Sequence, residues 1–317
     1  MRILIYGAGV IGCELAHVLI RAGQDVTLLA RGTWKDTLHD KGLCIRHYAQ
    51  MRTTIDHPRV IGSLNKEDEY DIIFVTLQDC NIAEALPALA VNCTKKIVLV
   101  GNNTQAREVH ATLIRERSDR EVAFGFQTTG GRRESTRVVS IHLRPAMTLG
   151  GLDAPLSEDF TAQLKRTFEG ARYQLRWEPQ MDAWLKSHLA FILPICYVCY
   201  ATGGVLPYAT ERQLSDIVDA AIEAHAMLKE LGYPIRPDGE EAFFTKERKK
   251  CITFLRLMTR TPFGKLAASD HAMHAIGEMQ SLDLAFEVFR AKAGVPMPAW
   301  ERLRASGNPQ DMQLRAG

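Results

Sequence analysis

The sequence predicts an α/β chain in two parts, an N-terminal doubly wound, mainly parallel sheet followed by an all-α region. Three observations carry this. Short apolar runs alternate with helix-spaced segments as far as Trp177, the order that lays helices on both faces of a parallel sheet. Beyond Glu178-Pro179 the strand patterns stop and long segments of helical period follow. Finally, 317 residues, 46% of them hydrophobic and 24% charged, suit two ordinary domains, each with its own core. The expected division is 1–178 and 179–317.

The first element is the most informative. An apolar run, Ile3 to Tyr6, leads into Gly7-Ala8-Gly9-Val10-Ile11-Gly12, then a helical run to Ala22 and a second apolar run, Val26 to Leu29. Gly-x-Gly-x-x-Gly between strand and helix at the start of a βαβ unit is the fingerprint of a Rossmann-type dinucleotide site. Gly7 allows the tight turn, Gly9 lets backbone approach the pyrophosphate, and Gly12 lets helix and strand pack closely. The helix N-terminus at Val10 and Ile11 offers free N–H groups and the positive dipole end to phosphate. Three glycines alone are a weak pattern, and a turn made only for packing is the plainer account; the strand–turn–helix context favours the nucleotide.

The second strand ends in Ala30-Arg31-Gly32, with Lys35 nearby and no carboxylate at its end. NAD sites usually place Asp or Glu there for the ribose hydroxyls, whereas an Arg suits the 2′-phosphate, so the expected cofactor is NADP(H), with Arg31 as its phosphate contact.

Farther on, Leu43-Cys44-Ile45 is a short strand-like patch. Asp71 to Leu77 and Lys95 to Val100 are continuous apolar runs suited to strands buried on both faces, and Val122 to Phe126 makes another. The loops beginning at Gly7, Arg31, Gln78 and Asn102 should therefore open on one crevice at the carboxyl ends of the strands. Asn102 is a candidate contact for the nicotinamide or its ribose; a turn-forming Asn explains it equally well. Val138 to Leu143 and Met147 to Leu149 read as short antiparallel strands at the sheet edge. The expected helices of the second part are Met181–Ala201, Thr210–Leu231, Gly239–Met258 and Asp270–Ala293, with the tail after Trp300 loosely held.

Composition excludes other classes. A net charge of +2 argues against a nucleic-acid binder held by phosphate contacts. Seven scattered cysteines look like reduced core residues of a cytoplasmic protein, and Cys196-x-x-Cys199, with no second pair or flanking His, reads as packing. Leu189 to Leu206 carries no charge and touches the lower limit for a membrane span, yet it contains Pro194 and Gly203-Gly204. A buried core helix is the expectation, with no membrane partner. Such a helix is also compatible with a homodimer interface.

Two ionisable residues stand out in the helical half. Lys186, in Trp184-Leu185-Lys186-Ser187-His188, sits at the edge of the uncharged segment, where low-dielectric surroundings disfavour the charged form of an amine. Glu278 is a lone carboxylate in His274-Ala275-Ile276-Gly277-Glu278-Met279. From spacing alone, a solvated Lys and Glu would be the plainer account.

Taken together, the glycine turn, Arg31, Asp71–Leu77, Asn102, Trp184-Leu185-Lys186, and Glu278 followed by Gly294 and Pro298 resemble the ketopantoate reductase (2-dehydropantoate 2-reductase) family over residues 1 to about 300. The resemblance implies hydride transfer from NADPH to a small 2-oxo acid. Lys186 would be the general acid for the developing alkoxide and Glu278 the substrate-binding carboxylate. The chain departs from that pattern at Gln78, where Lys is usual, at Ala190 and Pro194, where Asn is usual, and at Leu266, where Ser is usual. The apolar replacements at Ala190, Pro194 and Leu266 remove hydrogen-bonding groups worth about 0.5–1.5 kcal/mol each. Ketopantoate itself is thereby placed in doubt in favour of a more apolar oxo acid or an imine. Two other readings remain: an NADP-binding regulatory protein without chemistry, and an opine-type imine reductase. His188 is expected to be a core-edge residue.

Overall fold

In this computed structural model, which describes residues 1–313, twelve strands form two sheets: β1 (Arg2–Tyr6), β2 (Asp25–Leu29), β3 (Leu43–His47), β4 (Arg52–Asp56), β5 (Arg59–Ile61), β6 (Ile72–Val75), β7 (Lys96–Val100), β8 (Glu121–Gln127), β9 (Gly130–Arg133), β10 (Val138–Ile141), β11 (Ala146–Gly150) and β12 (Gln174–Trp177). The large sheet has the order β12-β11-β8-β7-β6-β1-β2-β5. All its pairs are parallel except β8 with β11. Helices α1 (Val10–Arg21), α2 (Gly32–Lys41), α3 (Ile82–Val91), α4 (Ala106–Glu116) and α5 (Glu158–Thr167) connect its strands. Ile3, Leu4 and Ile5 of β1 and Ile72, Ile73 and Phe74 of β6 are wholly buried, as central strands of a covered sheet require. Each such side chain contributes about 1.5–3 kcal/mol by leaving water.

The second sheet, β4-β3-β10-β9, is small and mixed. It corrects one expectation: Val138–Ile141 does not pair with Met147–Leu149 at the edge of the large sheet but joins Leu43–His47, and only β11 remains in the large sheet. Arg144-Pro145 separates the two strands, and Pro cannot continue a ladder.

The chain divides into two compact units, Met1–Met181 and the part from Asp182 on. The second contains α6 (Met181–Ala201), α7 (Glu211–Glu230), α8 (Glu240–Thr245), α9 (Arg248–Met258), α10 (Pro262–Gly264), α11 (Asp270–His274), α12 (Ile276–Ala293) and α13 (Pro298–Ser306). Two expected helices are each divided. Gly239–Met258 breaks around Lys246-Glu247 and Asp270–Ala293 breaks at Ala275, where the backbone leaves helical geometry (φ −116°, ψ 41°). Neither break carries the Gly or Pro that would announce it. Conversely, Pro262-Phe263-Gly264 opens a helical turn that runs on through a π-turn, Lys265–Ser269.

Helix α6 is long and apolar enough to cross a membrane, but most of it is buried. It runs antiparallel to α12, since Lys186 meets Phe289 and Cys196 meets Met279, while Tyr200 donates to the Ala272 carbonyl of α11. The chain after Trp300 is also well held. Trp300 is fully buried, stacks on Phe286 at 4.5 Å, and α13 continues to Ser306; the last four residues lie outside the described ones.

Candidate active site

The glycine turn lies between β1 and α1. Gly7 has φ +121°, which L side chains rarely adopt. A Cβ on Gly12 would stand 1.9 Å from the Gly7 carbonyl oxygen and 2.4 Å from Thr76 Oγ1, so only glycine lets α1 approach this closely. A Cβ on Gly9 would meet nothing within 4 Å, so the middle glycine leaves open space in front of the helix. Helix α1 begins at Val10 with no side-chain cap and no acidic residue in its first turn, leaving its first N–H groups to an external acceptor. The turn is fixed from behind: Thr76 Oγ1 donates to the Gly7 carbonyl at 2.8 Å, and Trp34 Nε1 donates to the Ala8 carbonyl at 2.9 Å. A bare helix start facing a glycine with room beside it fits a dinucleotide pyrophosphate.

The neighbouring strand ends supply the other expected cofactor residues. Arg31 is exposed at the start of α2 and pairs with Glu84 at 2.5 Å, an equally exposed residue of α3. Such a pair is worth little and is readily exchanged for another anion. Gln78 is exposed and caps a short 3₁₀ turn after β6, while Asn102 is buried just after β7. Sequence reading misses the tie between these two loops. Asp79 accepts hydrogen bonds from the Thr104 amide at 2.7 Å and from its hydroxyl at 2.8 Å, holding together the carboxyl ends of β6 and β7.

In the helical unit Lys186 is buried, and its ammonium pairs with Asp182 one turn earlier. Two rings flank it, Tyr233 at 4.7 Å and Phe289 at 5.5 Å. The i, i+4 spacing of Asp182 and Lys186 is a signal that the sequence does carry; the two rings, far along the chain, are not. Helix α6 therefore holds an amine in apolar surroundings against a single carboxylate.

Glu278 is also buried and lies 3.6 Å from His271. Burial first, and the Glu278 carboxylate to a smaller extent, raise the pKa values of Cys196 and Tyr200. The structure sets Lys186 and Glu278 apart: Phe289, which Lys186 touches, lies eleven positions after Glu278 on α12, about 16 Å of helix rise. His188 stacks on Trp184 with ring centroids 5.1 Å apart. Burial, then the nearby His271 charge, lowers its pKa to about 4, so at neutral pH it is an uncharged packing residue. Ala190, Pro194 and Leu266 are all buried, so no polar side chain stands at those three positions.

The family model described as ketopantoate reductase PanE/ApbA matches residues 3–154. A 2-dehydropantoate 2-reductase of Pyrococcus horikoshii is 26% identical over 194 residues, a match spanning 58% of this chain and 58% of that protein. Among solved structures, the 2-dehydropantoate 2-reductase of Geobacter metallireducens GS-15 superposes with a TM-score of 0.74 at 19% identity, covering 96% of this chain and 98% of that one. D-mandelate dehydrogenase, solved with NADH and anilino(oxo)acetate, gives a TM-score of 0.77 at 12% identity, covering 96% and 97%. At these identities the two structures share the fold.

Proposed function

We propose, from the premise that this chain is a divergent member of the ketopantoate reductase family, that it is an NADPH-dependent reductase of a small 2-oxo acid. A bound dinucleotide would lie along the Gly7–Gly12 turn and the start of α1, with Arg31 at the 2′-phosphate and Gln78 and Asn102 along the nicotinamide half. The nicotinamide supplies the hydride. Lys186 donates the proton to the alkoxide that hydride addition creates, and its positive charge stabilises that oxyanion beforehand. Asp182 holds the amine in place until the substrate carbonyl replaces the pair. Glu278, farther along α12, orients the far end of the substrate and takes no part in the proton step.

The buried Lys186 carries this reading, because an ammonium with one carboxylate and two aromatic walls is a costly arrangement that packing alone does not call for. The apolar side chains at Ala190, Pro194 and Leu266 favour an oxo acid with a more apolar body than ketopantoate. The test is NADPH oxidation with a panel of branched and aromatic 2-oxo acids, with and without an amino-acid co-substrate. Turnover with at least one oxo acid alone is expected. Tight NADPH binding without turnover on any of them would replace this reading with a regulatory one, and a requirement for the amino acid would make it an imine reductase.

A further inference from the structure

We infer that the first unit carries a divalent metal site of the zinc class between α1 and the small sheet, built from Glu14, His47 and His142. Glu14 is on α1, two residues after the glycine turn, His47 ends β3, and His142 follows β10. All three are buried, and one potential donor atom from each lies within 4.8 Å of the others. Glu14 Oε1 is 3.1 Å from His142 Nε2, and Glu14 Oε2 is 3.6 Å from His47 Nδ1. An ion about 2.1 Å from each of three donors in tetrahedral geometry needs them about 3.4 Å apart; one donor atom from each residue already lies within 4.8 Å of the others, so the three side chains must draw in to close on an ion.

Glu14 Oε2 is buried without a hydrogen-bond partner, an uncommon state for a carboxylate oxygen and one that a cation would relieve. The chain also supplies outer support of the kind metal-bound imidazoles usually have. Thr54 Oγ1 lies 2.8 Å from His47 Nε2, which turns Nδ1 toward Glu14. The His17 ring packs 4.7 Å from His47 and is itself held by Asp56, which also accepts from Arg21 Nε at 2.8 Å. Two imidazoles and a carboxylate are a borderline ligand set of the zinc type; magnesium and calcium prefer all-oxygen cages. A metal here would rivet the nucleotide-binding helix to the small sheet without touching substrate.

The test uses the full chain, stripped with a chelator and then titrated with Co²⁺ and, separately, Zn²⁺. We expect uptake of one equivalent of Co²⁺ with visible d–d absorption of a four-coordinate site, and a rise in Tm on adding Zn²⁺ that EDTA reverses. Glu14→Gln and His47→Gln should weaken Co²⁺ binding by at least about tenfold, in line with the loss of a ligand, while Cys80→Ala, at an exposed thiol, should not. The inference is overturned if the stripped wild-type chain gives neither the absorption nor the Tm rise. It is equally overturned if folded Glu14→Gln and His47→Gln variants bind Co²⁺ as the wild type does. The wild-type measurements decide the matter even where a variant does not fold.

Discussion

The two halves of the proposed chemistry are built from different materials. In the first unit the nucleotide turn is backbone: Gly7 and Gly12 fix its path, Thr76 and Trp34 brace two carbonyls, and no side chain of the turn itself is needed to meet phosphate. In the second unit the proposed proton donor, Lys186, is a side chain whose surroundings depend on Asp182, Tyr233 and Phe289, contributed by three different places in the chain. A backbone device is specified locally and fails locally. A side-chain device is specified by the packing of a whole helical bundle, so its surroundings can drift while its lysine stays.

The largest effect should come from the lysine. Lys186→Ala is expected to lower kcat by 10²- to 10⁴-fold, the usual range for a general acid, with NADPH affinity measured by fluorescence nearly unchanged. Turnover close to wild type would remove the side-chain half of the comparison. Glu278→Gln should raise KM more than it lowers kcat, which would separate substrate orientation from proton transfer.

Next come the glycines. Gly12→Ala drives a methyl into the Gly7 carbonyl, so both Tm and cofactor binding should fall. Gly9→Ala, with open space around its Cβ, should leave Tm within about 1 °C, the scale of a negligible stability change, while weakening cofactor binding strongly. If Gly9→Ala binds NADPH normally, the open space is not where the pyrophosphate lies.

Asp182→Asn strands a buried ammonium, and the expected cost in denaturant unfolding is about 3–5 kcal/mol. Arg31→Ala removes only an exposed pair, so stability should be unaltered within about 0.5 kcal/mol; NADPH should bind at least about tenfold more weakly while NADH binding stays the same. Equal loss for both cofactors would take the 2′-phosphate away from Arg31.

A pH dependence is the last test. His188 has a folded pKa near 4, below the ordinary value of about 6.5. Between those values the unfolded chain binds a proton that the folded chain refuses, so stability falls as the pH drops, by at most about 1.4 kcal/mol per pH unit. Above that window the group contributes no slope. Thermal unfolding of His188→Gln should show a shallower loss of Tm between pH 6.5 and 4 than the wild type.

What the sequence discloses follows the same division. The Gly-x-Gly-x-x-Gly turn, the buried runs of β1, β6 and β7, and the long helices α6 and α7 are legible because their cause is local: period, β-branching and residues that tolerate unusual φ. The separate small sheet is not, since Leu43–His47 must find Val138–Ile141 across almost a hundred residues. The breaks at Lys246-Glu247 and Ala275 have no Gly or Pro to mark them. The rings around Lys186, and the distance between it and Glu278, are products of the antiparallel pairing of α6 with α12, which no short window of residues displays.

The two margins of the large sheet carry a final consequence. At one side it ends in β5, only three residues long, and at the other in β12, four residues that include Arg176, with the Lys165 ammonium 5.9 Å from the Trp177 ring. A rim that is stubby on one flank and cationic on the other offers a newly made polypeptide little template for zipping onto a neighbour's strands. The eight-stranded sheet thus presents edges of the kind that discourage pairing with a second copy.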